Sequence, residues 1–376
     1  MKIVIAPDSF KGTMTSAEIC DIVEQAALRH FPEAEIVKIP VADGGEGMLE
    51  AFLRSNGGEK LYLEVTGPDF TNERAAFGLL EDGNTAVIEM AEASGLMLAG
   101  EPRHPMDATS LGTGQLLLEA ARRGCRKIIL GIGGSATMDA GIGMAQAMGI
   151  RFLDKNGQEV EPTPRGLAEV QEIDTSAIPK ELREVEILIA SDVKNPACGE
   201  NGSAYVFGKQ KGATPEEIAE IDRLIHRFCE RIREKTGLDL LHVPGTGAAG
   251  GLAIPLLAFF GARIVPGIDL VLDLAGFEQR LKGADMVITG EGKLDGQSLE
   301  GKVPIGVALR AAKAGVPVIA LVGDIGEQYQ KAYGEGITAI FSTNKAAVPF
   351  EVAKKTCKED LALLADSLFA FGTTIK

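Results

Sequence analysis

The sequence reads KIVIAPDSFKGTMTSAEICDIVEQAALRHFPEAEIVKIP over residues 2–40, where a helical pattern lies between two short apolar runs. Residues 2–6 and 35–40 predict β-strands. Residues 17–30 predict an amphipathic helix, and Ser16 is expected to be its N-cap. A strand, a crossover helix and a second strand form a βαβ unit with parallel strands. This stretch therefore predicts an α/β fold.

The same order of strand, polar loop and helix recurs further along the chain. Residues 127–131, 186–190 and 284–289 are apolar runs of the kind found in buried parallel strands. Between residues 60 and 91, three short runs separated by turn signals predict a local antiparallel patch. At ~150 residues per domain, a chain of 376 residues suggests about two domains. Because no flexible linker divides the sequence, we expect the chain to cross between the domains more than once.

Composition and charge narrow the classes of function. The formal net charge is −15, and an acidic surface disfavours nucleic acid and anionic membranes as partners. No apolar run reaches the ~18 residues of a membrane span, and the start MKIVIAPD is typical of a strand and not of a signal peptide. The five cysteines include no C-x-x-C pair, which argues against a disulfide framework or a zinc site. We therefore expect a cytoplasmic protein with reduced thiols.

Six loops rich in glycine and aspartate are the candidate sites of chemistry. In parallel α/β sheets, ligands bind at the carboxyl ends of the strands, where most of these loops are predicted to lie. Glycine lets backbone N–H groups approach phosphate oxygens, and aspartate can hold Mg²⁺ or accept a hydroxyl proton. The loops are DSFKG (8–12), DGGEG (43–47), GIGGSATMD (131–139), SDVKN (191–195), GTGAAGG (245–251) and GEGKLDGQSLEGK (290–302). Together they predict a phosphate-handling enzyme, in particular a small-molecule kinase.

Other motifs favour other functions. Residues 131–136, GIGGSA, match the dinucleotide-binding fingerprint, and Asp154 follows at about the ~20-residue distance of a ribose-binding acid. An NAD(P)-dependent dehydrogenase is therefore an alternative, although it has no task for the other aspartate-bearing loops. Residues 296–302 read G-x-x-x-x-G-K, but Val303 stands where a P-loop needs Ser or Thr, so we reject a true P-loop. A non-enzymatic metabolite-binding module is a further alternative, although so many acidic loop residues would repel an anion.

Taken together and in this order, the loops resemble the blocks of the class II glycerate kinase family. The resemblance covers nearly the whole chain. The matching blocks are APDSFKG (6–12), ADGGEG (42–47), EMAEASGL (89–96), LGTGQL (111–116), GIGGSAT (131–137), SDVKNP (191–196), PGTGAAGG (244–251) and GEGKLDGQSLEGK (290–302). Two of the loops depart from the family pattern. Met138 and Ala140 flank Asp139 where the family usually has Asn and Gly, and Lys209 stands where a proline usually precedes QKGA.

The resemblance implies an activity and an architecture. The activity is the phosphorylation of D-glycerate with ATP and Mg²⁺ as cofactors, and the 2-phosphate is favoured over the 3-phosphate as product. The architecture is two α/β domains, one of them Rossmann- or flavodoxin-like with a mostly parallel sheet, with the active site in the cleft between them. We expect residues 1–90 and 283–376 to form the Rossmann/flavodoxin-like domain and residues 91–282 the second. The partner is the small-molecule substrate, and the protein is expected to be a monomer or a homodimer.

The site residues expected from these motifs fall into three groups. Asp192 and Asp295 are expected to hold Mg²⁺ or to accept the hydroxyl proton, and Lys11 and Lys293 to neutralise charge in catalysis. The substrate-binding residues are expected to be Asp8, Asp43, Ser298 and Lys302. The nucleotide-binding residues are expected to be Gly131, Gly133, Gly134, Ser135, Asp139, Gly245, Gly247 and Gly250.

Overall fold

The computed structural model describes residues 1–10, 12–41, 47–296, 298–346 and 348–374. The chain forms two compact units. Unit 1 consists of Met1–Asp43 and Pro266–Lys376, and unit 2 consists of Gly44–Val265. The chain therefore leaves unit 1 once, forms the whole of unit 2 and returns.

The strands found in the described ranges are β1 (Lys2–Ile5), β2 (Glu35–Lys38), β3 (Gly58–Thr66), β4 (Asn72–Leu80), β5 (Thr85–Glu89), β6 (Lys127–Gly131), β7 (Arg151–Leu153), β8 (Glu172–Asp174), β9 (Glu186–Ala190), β10 (Arg263–Val265), β11 (Met286–Leu294), β12 (Val318–Ile325) and β13 (Ala339–Ser342). The α-helices found there are α1 (Ser16–His30), α2 (Met48–Asn56), α3 (Ala91–Ser94), α4 (Leu111–Arg122), α5 (Ile142–Ala147), α6 (Pro164–Leu167), α7 (Ser203–Phe207), α8 (Pro215–Thr236), α9 (Ala253–Phe259), α10 (Gly267–Leu274), α11 (Phe277–Leu281), α12 (Val303–Lys313), α13 (Phe350–Ala353) and α14 (Cys357–Gly372). None of these helices has the length and apolar character that a membrane crossing needs.

Unit 1 contains a five-stranded, fully parallel sheet in the order β13-β12-β11-β1-β2. Numbered within the unit alone, this is the strand order 2-1-3-4-5 of flavodoxin-like sheets. On one face, α1 packs against α14, where Leu361, Ala365 and Phe369 are buried at four-residue spacing. The rings of Phe31 and Phe369 meet edge to face with their centroids 6.4 Å apart. The predicted βαβ unit and flavodoxin-like sheet are confirmed.

The N-terminus of α1 lies one residue earlier than predicted. Its N-cap is Thr15, which forms a capping box with Glu18, so the prediction of Ser16 as the N-cap was wrong. A Glu three residues after the cap can bond back to the backbone N–H of the capping residue, which favours Thr15. The hydroxyl group of Ser16 instead donates to Pro7 O at 2.6 Å and accepts from Val41 N at 2.9 Å. It therefore ties together the segments that follow β1 and β2.

Unit 2 contains a six-stranded mixed sheet in the order β10-β9-β6-β5-β4-β3. Strands β5, β6, β9 and β10 pair in parallel, whereas β3, β4 and β5 pair antiparallel. This confirms the antiparallel patch predicted between residues 60 and 91. Strands β7 and β8 form a separate antiparallel pair. The main core includes Phe77, Ile88, Leu130, Met144 and Ile189, all fully buried.

The two units differ from the predicted domain division at residues 44–90 and 266–282. Strand β5 pairs with β6 along its whole length, so the hairpin strands before it belong to unit 2. Residues 266–282 form α10 and α11, which lie against α12 of unit 1. There the guanidinium group of Arg310 donates to Asp269 at 2.8 Å and to Asp273 at 2.6 Å. Strand pairing and this ion-pair network, neither of which is visible in local sequence, therefore place the boundaries.

Candidate active site

Three of the predicted loops meet at one edge of the sheet in unit 2. The strand register aligns Glu89 with Gly131, and Gly131 with Ala190, at the carboxyl ends of β5, β6 and β9. The loops 131–139 and 191–195 therefore leave the sheet from neighbouring strands. The loop 245–251 packs onto both, because Gly247 N donates to Asn195 O and Ala140 N donates to Gly250 O, each at 2.9 Å. The structure thus brings together three of the glycine- and aspartate-rich loops that sequence analysis singled out.

The glycines of these loops fall into two structural groups. Gly133 and Gly134 are exposed, and Gly134 has a φ of +71°. Gly247 and Gly250 are buried, and a Cβ atom would lie 2.1 Å from Pro196 O at the first and 2.0 Å from Thr137 O at the second. Backbone packing therefore requires glycine at both buried positions, whether or not a ligand is bound.

The exposed part of the 131–139 loop is held by a neighbouring segment. Leu96 N donates to Gly134 O at 2.8 Å, and Ala136 N donates to Ser94 O at 2.9 Å. These bonds form a short antiparallel bridge between Gly95 and Ser135. The EMAEASGL block thus supports the loop through backbone hydrogen bonds.

Asp139 lies beneath this loop and is fully buried. Its Oδ2 accepts from Ser110 N at 2.9 Å, from Ser110 Oγ at 2.6 Å and from Gly143 N at 3.3 Å, and its Oδ1 accepts from Gly141 N at 3.2 Å. Burial raises the pKa of the Asp139 carboxyl, and these hydrogen bonds oppose that rise. Because both oxygens have partners inside the fold, the side chain orders the loop from within.

Lys211 is a charged residue at this loop that sequence analysis missed. Its side chain is buried, and Nζ donates to Ser135 Oγ at 2.6 Å and to Thr137 O at 2.8 Å. Burial lowers the pKa of Lys211 to about 7, and the charge of Asp139 opposes this change. The segment around Lys211 is polar and forms a short 3₁₀ turn, Lys209–Lys211, which is typical of an exposed lysine. Its place at the loop is shown only by the contact with Ser135, which lies 76 residues earlier in the chain.

Glu89 is a second buried charged residue that sequence analysis quoted only as part of a block. Its Oε1 accepts from Met48 N at 2.7 Å and from Leu49 N at 3.4 Å, at the start of α2. Burial raises the pKa of Glu89, and the bonds from the backbone oppose that rise. An internal carboxylate thus occupies the N-terminus of the helix that follows the DGGEG loop. Asp43 itself lies outside the described residues.

Asp192 lies in unit 2, two residues beyond the end of β9, and is partly exposed. Ser191 N before it donates to Val265 O of the neighbouring strand segment at 3.1 Å, and Val193 N after it donates to Ser191 Oγ at 3.3 Å. The backbone on both sides of Asp192 is therefore held at the edge of the sheet.

In unit 1, four of the predicted residues lie in the segment that runs from the end of β11 to the start of α12. Asp295 directly follows β11, and its Oδ2 is 3.6 Å from Lys293 Nζ. The buried Ser298 closes this turn, since its Oγ donates to Lys293 O at 3.3 Å and accepts from Asp295 N at 3.1 Å. Lys302 is the N-cap residue of α12, and its backbone N donates to Ser298 O at 3.2 Å. The structure therefore gathers these residues into one segment.

Asp8 lies three residues beyond the end of β1, the strand next to β11. It is buried, its backbone N donates to Gly290 O at 2.8 Å, and its Oδ1 accepts from Ser9 N at 2.7 Å. The predicted loop 290–302 begins as a strand, because β11 continues to Leu294 in register with β12. Glycine permits this close pairing, since a Cβ at Gly290 would lie 2.0 Å from Leu321 O. Lys11, the remaining predicted residue of this unit, lies outside the described residues.

The structural context of a nicotinamide site is absent from this part of the chain. In the described residues no helix begins within residues 131–136, and the next helix, α5, begins at Ile142. Asp154 accepts from Asn156 N and Gln158 N in a turn beside the separate β7–β8 pair, away from the strands next to β6. The fingerprint requires a helix opening at its glycines and an acid at the end of a neighbouring strand. The expectation of a dehydrogenase is therefore not supported by the fold.

Comparison with known proteins gives matches along nearly the whole chain. The profile of the glycerate kinase family matches residues 3–372. The chain is 46% identical over 341 residues to a glycerate kinase of Halalkalibacterium halodurans, covering 90% of each chain. It is 43% identical over 343 residues to the glycerate 2-kinase of Escherichia coli K12, covering 91% of this chain and 90% of the relative. A crystal structure provisionally described as glycerate kinase 2 of Salmonella typhimurium LT2 aligns with a TM-score of 0.90 and 41% identity, covering 100% of this chain and 98% of the other. These matches support a kinase and neither of the two alternatives.

Proposed function

This chain belongs to the glycerate kinase family, and we propose on that premise that it transfers the γ-phosphoryl group of ATP to a hydroxyl group of D-glycerate. The observation that carries the proposal is the 131–136 loop, whose exposed glycines follow the carboxyl end of a central parallel strand. The 2-hydroxyl is the proposed acceptor, since a relative 43% identical to the chain is named a glycerate 2-kinase.

The proposed nucleotide site is in unit 2. The peptide groups around Gly131, Gly133 and Gly134 and the hydroxyl of Ser135 would contact phosphate oxygens, since backbone N–H groups and hydroxyls are suitable donors. The residues behind this surface would act by holding it in place. They are Asp139, Gly245, Gly247 and Gly250, which are all buried.

The proposed glycerate site uses the acidic and basic residues at the strand ends of unit 1. Asp8 and Ser298 would accept or donate hydrogen bonds at the substrate hydroxyls, and Lys302 would bind its carboxylate. Lys11 and Asp43 belong to the same proposal by their place in the sequence. Lys293, which is more than half exposed beside Asp295, would neutralise charge on the phosphoryl group during transfer.

Mg²⁺ fits the kind of donors that the chain offers. The structure contains no group of three or more His, Cys, Asp or Glu suited to a metal within its described ranges. Mg²⁺ in kinases is usually bound through one or two carboxylates plus the phosphates of the substrate, so a preformed cluster is not required. Asp192 and Asp295, both partly exposed, are the proposed carboxylates. When bound, the ion would neutralise the charge of the phosphate chain, and one of the two aspartates would accept the proton of the glycerate hydroxyl.

The proposal also covers the cellular compartment and the oligomeric state of the protein. All five cysteines are free thiols, and four are buried, which is consistent with a reducing compartment such as the cytoplasm. A monomer or a homodimer remains the proposed state, with a small molecule as the partner.

The test is ADP release from Mg-ATP by the purified protein, with and without D-glycerate. We expect release that depends on glycerate, and identification of the product by NMR separates the 2-phosphate from the 3-phosphate. The variants Asp192→Asn and Asp295→Asn should each lower kcat by a factor of at least ~10². Asp154→Asn is the matched control, because Asp154 lies in a turn away from the proposed site, and it should retain activity. Release that is the same without glycerate would refute the function, and losses below tenfold in both folded variants would remove both aspartates from the mechanism.

A further inference from the structure

Lys211 is a buried lysine without a carboxylate partner at ion-pair distance. Its side chain is 2% exposed, and none of the ion pairs in the described part of the chain includes it. Lysine is almost never fully buried unless it is paired. Its two hydrogen-bond acceptors are neutral, Ser135 Oγ at 2.6 Å and Thr137 O at 2.8 Å. The cost of burying this ammonium group therefore needs an explanation other than a salt bridge.

The two acceptors lie on the loop that carries the exposed glycines. Ser135 follows Gly134 directly, and Thr137 precedes the buried Asp139 by two residues. The main chain of this segment is already bonded to Ser94 and Leu96. Lys211 adds the bond that fixes the side chain of Ser135, the polar residue next to the exposed glycines.

The chemistry of the two groups sets the direction of the hydrogen bond. An ammonium group has donors only, so Nζ donates and Ser135 Oγ accepts. A serine hydroxyl has one proton of its own, and that proton cannot point towards an ammonium group. Within the described residues, no protein acceptor takes it up. The hydroxyl proton is therefore directed away from Lys211.

We propose that Lys211 is a positioning residue of the phosphate-binding loop, whose ammonium group directs the hydroxyl proton of Ser135 towards an oxygen of the nucleotide's phosphate chain. This inference rests on the proposed function, because it takes the ligand of the 131–136 loop to be the phosphate chain of ATP or ADP. A hydroxyl donating to an anionic oxygen makes a short, charge-assisted hydrogen bond. Lys211 also supplies a positive charge behind the loop in a chain of net charge −15.

Deprotonation of Lys211 would reverse the direction in which the hydroxyl proton of Ser135 points. Burial lowers its pKa to about 7, and Asp139 is the one ionisable group of the described residues whose charge acts on it appreciably. Above that pH the neutral amine has a lone pair, which can accept the proton of Ser135 and turn it away from the ligand. A bound phosphate favours the charged amine. Nucleotide affinity should therefore be greatest below pH 7 and should fall as the pH rises through that value.

The experiment is calorimetric titration of MgADP into the wild type, Lys211→Met, Ser135→Ala and the double variant, between pH 6 and pH 9. We expect each single variant to weaken MgADP binding about tenfold or more at pH 6, as for the loss of a charge-assisted bond. The double variant should bind no more weakly than the weaker single variant, because both changes remove one shared interaction. The fall in affinity with pH should be present in the wild type, smaller in Ser135→Ala, where the charge of Lys211 remains, and absent in Lys211→Met. Lys209→Met is the matched control, since Lys209 lies in the same turn and is exposed, and it should bind as the wild type does.

Steady-state kinetics give the second readout. The KM for ATP should rise in Lys211→Met, and the KM for D-glycerate should change less than about threefold, since the residue acts on the nucleotide loop. Wild-type affinity in Lys211→Met, or losses in the double variant that multiply, would overturn the inference. If Lys211→Met does not fold, Ser135→Ala tests the inference alone, and a pH dependence in this variant as large as that of the wild type overturns it. An active wild type with an unchanged Lys211→Met refutes this inference alone, whereas a wild type without glycerate-dependent ADP release refutes the proposed function.

Discussion

Replacing Asp139 by asparagine removes a charge from the base of the 131–139 loop and leaves the shape of the side chain unchanged. The asparagine oxygen can take the place of Oδ2 and keep the bonds from Ser110 N, Ser110 Oγ and Gly143 N. The amide NH₂ then lies opposite Gly141 N, where Oδ1 accepted at 3.2 Å, so two donors face each other. An unsatisfied buried polar group costs about 1–3 kcal/mol, and this change creates two of them. The three remaining bonds are also weakened, because their acceptor is no longer ionised.

Relief from burying a charge acts in the opposite direction, so we expect a net loss of about 2–4 kcal/mol in the free energy of unfolding. Urea unfolding followed by far-UV circular dichroism measures it, since the chain has no tryptophan. Asp154→Asn is the control, because Asp154 also accepts two backbone N–H groups but does so in an exposed turn, where water replaces a lost bond. A loss below about 0.5 kcal/mol in Asp139→Asn would refute the assignment of the carboxylate as the support of the loop.

Gly250→Ala should destabilise the protein more than Gly237→Ala. Both positions have a positive φ, +71° and +79°. Only at Gly250 would a Cβ meet a backbone oxygen, at 2.0 Å. We expect about 1 kcal/mol at Gly237 from the backbone conformation alone, and equal losses in urea unfolding would contradict the packing argument. Glu18→Gln should reduce the dependence of stability on acid pH, because bonds from Lys358 and Thr15 lower the folded-state pKa of Glu18 from 4.5 to about 2. Its contribution is therefore fully present above pH 4.5 and is lost as the pH falls towards 2, and identical pH profiles of unfolding for variant and wild type would rule this out.

The parts of the fold that could be predicted from sequence are those set by local pattern. The alternation of apolar runs, loops and helices gave the parallel sheet of unit 1, and turn signals gave the antiparallel strands before β6. The N-cap of α1 could also have been placed correctly, since Thr15 and Glu18 have the spacing of a capping box and Ser16 does not have a Glu at that distance.

The parts that could not be predicted depend on contacts between distant residues. No local signal shows that β5 pairs with β6 along its length, and that pairing assigns residues 44–90 to unit 2. Lys211 lies in a polar segment, and its burial depends on the position of Ser135, 76 residues away. Glu89 stands at the end of an apolar run, and only the position of α2 shows that its carboxylate caps a helix. In each case the residue type gives no signal in the sequence, and a contact with a distant residue determines its place in the structure.

Glycine-rich loops illustrate why a motif alone overestimates the number of residues that touch a ligand. Glycine is required wherever backbone approaches closely, and the approaching group can be a phosphate or another loop of the same protein. At Gly250 the neighbour is Thr137 O, 2.0 Å from where a Cβ would lie, whereas Gly134 is exposed and a Cβ there would meet only Ala91 Cβ at 3.4 Å. In the proposed nucleotide site, fewer residues therefore face the ligand than the glycine-rich motifs suggest. More residues hold the loop in place than the motifs suggest, and one of them, Lys211, belongs to none of the glycine-rich loops.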